Sequence, residues 1–368
     1  MISLFGTDAE LNATRFLARN ADKTILFTST GFLSRLHYAA REAPGEPFDQ
    51  IEVRPINVAT LKQLSKLDGE GGFAKTFVVA DESGEGKRLA SLRATYPHLK
   101  FAGLAENLFP ALVARRQGVA LRPMPGKLQT RTLTMIFAPP RSGSSFVSDV
   151  VSQVTGTKIR EHLRNDVIEA LASPYRFNLA VALRNFLNLI TNDAGHASTK
   201  IISHFLQDYV GQAGSLKLVK RVCEGLDVKV IVVERDDKVA QTVSGFLAMR
   251  RGVWHLESAR DAAAIEAAPQ VGYDFDRLLP RYLGYRHQSY VLDFAREIFP
   301  DHLLLEYGRD LEAGDAAALG QRVANFLGLP PEAGQIETKA VRAKLANEEN
   351  QRLCTRFRAD YDALFGLG

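Results

Sequence analysis

The run Pro140-Arg141-Ser142-Gly143-Ser144-Ser145 constrains the fold more than any other stretch of the chain. It stands between an apolar segment, Leu133-Thr134-Met135-Ile136-Phe137, and an apolar-periodic segment that begins near Phe146. A buried strand, a loop of small residues and a helix N-terminus predict a parallel α/β layer with an anion cradle at the turn. Gly143 lets the backbone approach an oxyanion, and the hydroxyls of Ser142, Ser144 and Ser145 are potential donors to it. Arg141 adds a planar charged donor. The lysine and the longer glycine spacing of a Walker A loop are both missing, so the cradle is not built for an ATP γ-phosphate with Mg²⁺.

The pattern on either side divides the chain. Over residues 1–128, short β-branched runs at 24–28, 51–53, 76–80 and 99–102 alternate with helical patterns at 31–41, 59–67, 86–96 and 108–117. That alternation predicts a small Rossmann-like α/β domain. The breaker-rich stretch Leu121-Arg122-Pro123-Met124-Pro125-Gly126-Lys127 reads as a linker, with a second domain over 129–368. In that second block a long helical region follows the cradle, then a strand over 228–233, a helix from Lys238, a helix over 278–298, a strand over 303–307 and two terminal helices. With 368 residues, 46% of them hydrophobic, the chain can bury one large core or two ordinary ones.

A second motif lies after the strand at 228–233: Arg235-Asp236-Asp237-Lys238-Val239-Ala240-Gln241-Thr242-Val243-Ser244. Arg235 leaves the carboxyl end of a strand, where open parallel sheets bind ligands. Ser244 follows on the helix. Together, the strand-loop-helix at Arg141 and the strand-Arg-helix-Ser at Arg235 resemble the two nucleotide signatures of sulfotransferases. The Arg-Ser-Gly-Ser-Ser core, the Arg235–Ser244 spacing and Arg251-Gly252-Val253-Trp254 are similar to the bacterial carbohydrate and glycolipid branch. The resemblance covers about residues 131–362 and leaves the N-terminal block without an assigned role. It implies a P-loop NTPase-like three-layer fold, a parallel sheet with helices on both faces. It also implies 3′-phosphoadenosine 5′-phosphosulfate as donor, with the Arg141 loop on the phosphosulfate and Arg235 with Ser244 on the 3′-phosphate. The acceptor would be a hydroxyl of a carbohydrate or glycolipid, and no metal is called for.

The same resemblance nominates catalytic groups. Glu161, after Thr155-Gly156, matches the branch's general base, although the intervening segment is shorter and the usual nearby proline is missing. Lys200, in Lys200-Ile201-Ile202-Ser203-His204, matches the lysine that steadies the departing phosphate, and His204 is the alternative base if the segment is a helical turn. The stretch 344–358 resembles the closing segment over the nucleotide, and Trp254 is a candidate wall of the acceptor pocket. The plain alternatives are a solvated Lys200, a core or capping His204, and a surface Glu161 paired to Arg160 or Arg164.

Other features narrow the choices. Forty-six basic against 42 acidic residues leave a net charge of +4, too little for a duplex nucleic-acid surface. Cys223 and Cys354 sit in apolar-periodic stretches and read as reduced core thiols, which with the absence of a signal-peptide pattern at Met1 predicts a cytoplasmic protein. No apolar run is long enough to span a membrane. The stretch around 178–190 reads as a buried amphipathic helix. Asp81-Glu82-Ser83-Gly84-Glu85-Gly86-Lys87 imitates a phosphate loop but has the wrong spacing, and reads as a capped surface turn. Asp236 and Asp237 read as capping for the next helix rather than as metal ligands. The competing functions are a nucleotide-dependent kinase or NTPase and a non-catalytic nucleotide-binding protein; a homodimer is left open.

Overall fold

Two all-parallel sheets carry the described strands, so the chain is α/β, as its alternating apolar pattern predicts. This computed structural model describes residues 17, 24–29, 33, 52–56, 76–80, 84–107, 109, 130–161, 178–203, 217–254, 269–312, 315–336 and 348–366. The first elements are β1 (Thr24–Thr28), β2 (Glu52–Pro55), β3 (Thr76–Ala80), α1 (Glu85–Thr95) and β4 (Phe101–Gly103). Then come β5 (Thr132–Ala138), α2 (Ser144–Thr155), β6 (Arg160–Glu161), α3 (Leu179–Ile190), β7 (His196–Ile202), α4 (Lys217–Cys223) and β8 (Asp227–Glu234). The chain continues through α5 (Lys238–Arg251), α6 (Phe275–Ile298), β9 (His302–Glu306) and a π-helical turn over Tyr307–Leu311. It ends with α7 (Ala316–Leu327), a 3-10 turn over Pro331–Gly334 and α8 (Glu348–Phe365). The expected helices at 31–41, 59–67 and 108–117 fall largely outside the described residues, as does His204.

Contacts divide the chain into two units. One comprises Met1–Thr130, Leu163–Thr191 and Tyr209–Gly225; the other comprises Arg131–His162, Asn192–Asp208 and Leu226–Gly368. The sequence pattern places a single boundary at 128/129, whereas α3 and α4, which come later in the chain, group with the first unit.

The first unit has strand order β2-β1-β3-β4. Its core joins Ile25, Phe27, Phe77 and Val79 of the sheet to Leu89 and Leu92 of α1. Glu85 is not part of a surface turn as the sequence suggests: its carboxylate is fully buried and accepts from the backbone N–H groups of Ala105 (3.0 Å) and Glu106 (3.3 Å). It satisfies amides at the start of the short helix after β4, which would otherwise be orphaned. Helix α3 is capped by Asn178, whose Oδ1 accepts from Val181 N–H at 3.3 Å, and Asn185 donates to the Glu106 carbonyl at 3.1 Å.

The second unit has strand order β6-β7-β5-β8-β9. β5 is central because Leu133-Thr134-Met135-Ile136-Phe137-Ala138 is buried throughout, as a strand covered on both faces must be. From β5 the chain fills one side with β6 and β7, then crosses to β8 on the other. The carboxyl ends of β5 and β8 therefore flank a topological switch point, where such sheets leave a crevice. α2 follows β5 with Val147, Val150, Val151 and Val154 on one stripe, packed against Ile136, Ile231 and Val233 of the sheet and Leu319 and Val323 of α7. Burying each of these valines is worth roughly 1.5–3 kcal/mol. Among the described residues no helix is long and apolar enough to cross a membrane.

Candidate anion site at the β5–α2 loop

Backbone conformation shapes the loop after β5. Arg141 has φ 63° and Gly143 φ 85°, two left-handed residues in quick succession, so the chain turns sharply into the N-terminus of α2. Gly143 is required twice over. Besides its φ, a Cβ there would stand 3.0 Å from Leu311 Cδ1 and 3.0 Å from Tyr307 Cδ2, both on the π-helical turn. Ser142 is fully buried and spends its proton on the Pro139 carbonyl at 2.8 Å, so it stitches the loop rather than offering its hydroxyl to a ligand. Ser144 opens α2 and is nearly buried, and Ser145 follows it, partly exposed.

Helix α5 clamps the same loop. Asp237 caps it, accepting from Ala240 N–H at 2.9 Å, which is the role the sequence assigns to the Asp236-Asp237 pair. One turn on, fully buried Gln241 donates from Nε2 to the Pro140 carbonyl at 2.6 Å, while its Oε1 has no hydrogen-bond partner among the described residues. Ser244 Oγ then accepts from Arg141 Nε at 3.0 Å, and Arg141 Nη1 donates to the Trp254 carbonyl. Arg141, Ser244, Leu247, Arg251, Val253 and Asn350 line a narrow cleft there.

Arg235 leaves β8 and reaches the same loop from the other side. Its Nη1 donates to the Arg141 carbonyl at 3.3 Å, and its guanidinium lies 4.4 Å from the centroid of the Tyr307 ring. Sequence reasoning groups Ser244 with Arg235; in the structure Ser244 is bonded to Arg141 instead, and Arg235 rests on Tyr307. Burial draws the Arg141 guanidinium below its ordinary pKa, and Arg235 acts in the same direction. It stays charged nonetheless, since arginine does not deprotonate in proteins.

Neither Arg141 nor Arg235 has a carboxylate partner among the described residues, in contrast to Arg251 with Glu349, Arg296 with Glu234 and Arg322 with Asp310. Two nearby guanidinium groups without counter-charge repel one another, and an anion relieves that cost.

Tyr307 reads in the sequence as the end of a strand, with no sign of a role at this site. It instead starts a π turn, closed by Glu312 N–H donating to the Tyr307 carbonyl at 2.7 Å. Asp310 fastens the turn, accepting from Glu306 N–H at 2.7 Å and from Arg322 Nη1 at 2.8 Å. The hydrogen bond to Arg309 leads the effects that hold the Asp310 carboxyl well below the usual carboxylate range.

The catalytic candidates lie along the other half of the sheet. After α2, Gly156 ends the helix at φ 64°, and a hydroxyl chain runs from Thr155 through Thr157 to Ser198 of β7, each link 2.7 Å. It leads into β6, where Glu161 is the Cα partner of Lys200. Lys200 pairs on its other side with Ile136 and is nearly buried. The helical turn expected around Lys200 is not there: residues 196–202 form β7, because His196, Ser198, Lys200 and Ile202 alternate onto one buried face of a parallel sheet. Ser203, just past the strand, donates to Gln288 Oε1 of α6 at 2.8 Å. Trp254 is exposed, and near the C-terminus Glu349 is half-buried in an ion pair with Arg251.

Among the described residues no group of three or more His, Cys, Asp or Glu is placed to hold a metal ion. No protein-family profile matches the chain, and no curated protein matches it.

Proposed function

We propose that the second unit is a sulfotransferase that moves a sulfuryl group from 3′-phosphoadenosine 5′-phosphosulfate to a hydroxyl of a carbohydrate or glycolipid, on a P-loop NTPase-like sheet. One observation carries the reading. Arg141 and Arg235 leave adjacent central strands at the switch point, are linked through the Arg141 carbonyl, and have no carboxylate partner among the described residues. A doubly phosphorylated nucleotide supplies the counter-charge for both and is long enough to touch each with a different phosphate. The Arg141–Ser244 bond supports reading the two phosphate contacts as neighbours.

In this reading Arg141 and the amides at the start of α2 hold the phosphosulfate, and Arg235 with Ser244 binds the 3′-phosphate. Glu161 takes the proton of the acceptor hydroxyl as its oxygen bonds to sulfur. The bond between sulfur and the bridging phosphate oxygen breaks in the same in-line displacement, and Lys200 stabilises the charge left on that oxygen. The register pairing of Glu161 with Lys200 supports assigning both to one reaction.

The test is a comparison of melting temperatures. Adenosine 3′,5′-bisphosphate should raise the melting temperature by several degrees and ATP with Mg²⁺ by much less. The reverse ranking favours a kinase or NTPase. Bisphosphate binding without sulfate transfer to any acceptor in a broad glycan and lipid screen favours a binding protein.

A further inference from the structure

Helix α6 brings two more polar groups to this site. Tyr285 is almost fully buried, and its hydroxyl crosses directly over Gly245, leaving no room for a side chain there. Gly245 follows Ser244, the residue that holds Arg141 Nε. Arg281, one turn earlier on α6, places Nη1 3.4 Å from the position a Gly245 Cβ would take, beside the Tyr285 hydroxyl that crowds the same point. Its Nη2 meets Met249 Sδ at 3.0 Å, its Nε has no hydrogen-bond partner, and no carboxylate pairs with it among the described residues.

The donor and acceptor chemistry of these side chains sets a direction. A guanidinium only donates, so Arg281 beside the phenol oxygen cannot accept the phenol proton, which is left to be donated elsewhere. The other charged neighbours of Tyr285, Arg141 and Arg235, are donor-only as well. Burial raises the phenol above its ordinary pKa, so it keeps its proton despite three arginines around it. A phenol held as a donor among cations is complementary to a phosphate oxygen.

We propose that Tyr285 is a specificity-determining ligand of the nucleotide's 3′-phosphomonoester, donating its phenol proton to that phosphate, and that Arg281 is the positioning residue that aims it. This rests on the nucleotide reading above. It extends the anion site from the two loops to α6 and makes discrimination between a 3′-phosphate and a 3′-hydroxyl depend on one O–H group.

The experiment is a calorimetric titration of adenosine 3′,5′-bisphosphate and adenosine 5′-phosphate into wild type, Tyr285→Phe and Arg281→Gln, with ligand-free melting curves as the folding control. Wild type should prefer the bisphosphate by at least tenfold. Tyr285→Phe should lose about tenfold or more of affinity for the bisphosphate and less than twofold for the monophosphate, because a hydrogen bond to a charged group disappears from one complex only. Arg281→Gln should narrow the preference in the same sense. If wild type prefers the bisphosphate and Tyr285→Phe keeps that preference, or weakens both ligands equally, the role of Tyr285 is wrong while the nucleotide reading stands. If wild type shows no preference, the nucleotide reading fails and this assignment fails with it.

Discussion

Arg141 Nε donates to Ser244 Oγ at 3.0 Å, joining the loop after β5 to a helix 103 positions later in the chain. Ser244 thereby fixes a guanidinium that would otherwise lose entropy on binding an anion. Ser244→Ala should therefore weaken adenosine 3′,5′-bisphosphate by about fivefold to tenfold, combining a lost ligand contact with a looser arginine. Arg141→Ala should weaken it by about a hundredfold or more, and Arg141→Lys should restore little because a point charge cannot replace the planar fork. Calorimetric titration of the three variants checks the order; an Arg141→Ala variant equal to wild type removes Arg141 from the site.

Gly143 links the loop to the π-helical turn. Alanine there must hold φ 85° and push apart Tyr307 and Leu311, each 3.0 Å from its Cβ. The left-handed backbone alone costs about 1–2 kcal/mol, and the crowding adds to it. Moving Tyr307 also removes the surface on which Arg235 rests at 4.4 Å. Gly143→Ala should lower the melting temperature by several degrees and weaken nucleotide binding by more than the stability loss explains. By contrast, Gly252→Ala, at φ 68° with no atom near its Cβ, should cost stability alone. Equal binding by the two variants would break the proposed link between the turn and Arg235.

Most strands of both sheets were legible because each is a short apolar run with breakers at its ends. β1 and β3 match their expected limits, and β5, β8 and β9 differ only at their ends. β7 was not legible. His196-Ala197-Ser198-Thr199-Lys200 is polar in sequence, and it becomes a strand because its polar groups find buried partners, Ser198 with Thr157 of the loop before β6 and His196 with Thr134 of β5. The tight turn between β5 and α2 could be read from its small residues. The identity of its partners could not, since the pairing of Ser244 with Arg141, the approach of Tyr285 over Gly245 and the π turn at Tyr307 are set by long-range packing that leaves no local pattern.

Glu161 and Lys200 are Cα partners on neighbouring strands, and their substitution should separate chemistry from binding. Glu161→Gln keeps the size of the side chain and removes its basicity. Turnover with an accepted glycan or lipid should fall by about 10²–10⁴-fold, with the affinity for adenosine 3′,5′-bisphosphate unchanged within about twofold. Single-turnover transfer of labelled sulfate, read beside the titration, distinguishes the cases. Turnover equal to wild type removes Glu161 as the base, and lost nucleotide affinity makes it a structural residue instead.

His196 offers a test of the second unit's core that is independent of any ligand. Its ring is nearly buried at the start of β7, with Nε2 2.8 Å from Thr134 Oγ1, and burial draws its pKa below the ordinary histidine value, against a smaller opposing effect of Asp227. The folded state therefore binds this proton less readily than the unfolded chain, whose histidine titrates near ~6.5. Stability from this group is fully present above that pH and is lost as pH falls through the depressed folded value. Asp310, held low by its arginine partners, loses its contribution only at more acidic pH, so the two do not overlap between pH ~7.5 and ~5. Urea unfolding across that window should show wild-type stability falling with acidification. His196→Gln, which keeps a partner for Thr134 but cannot titrate, should start lower at neutral pH and show a flatter profile. A variant whose slope matches wild type would assign the acid sensitivity to another group and refute the buried neutral imidazole.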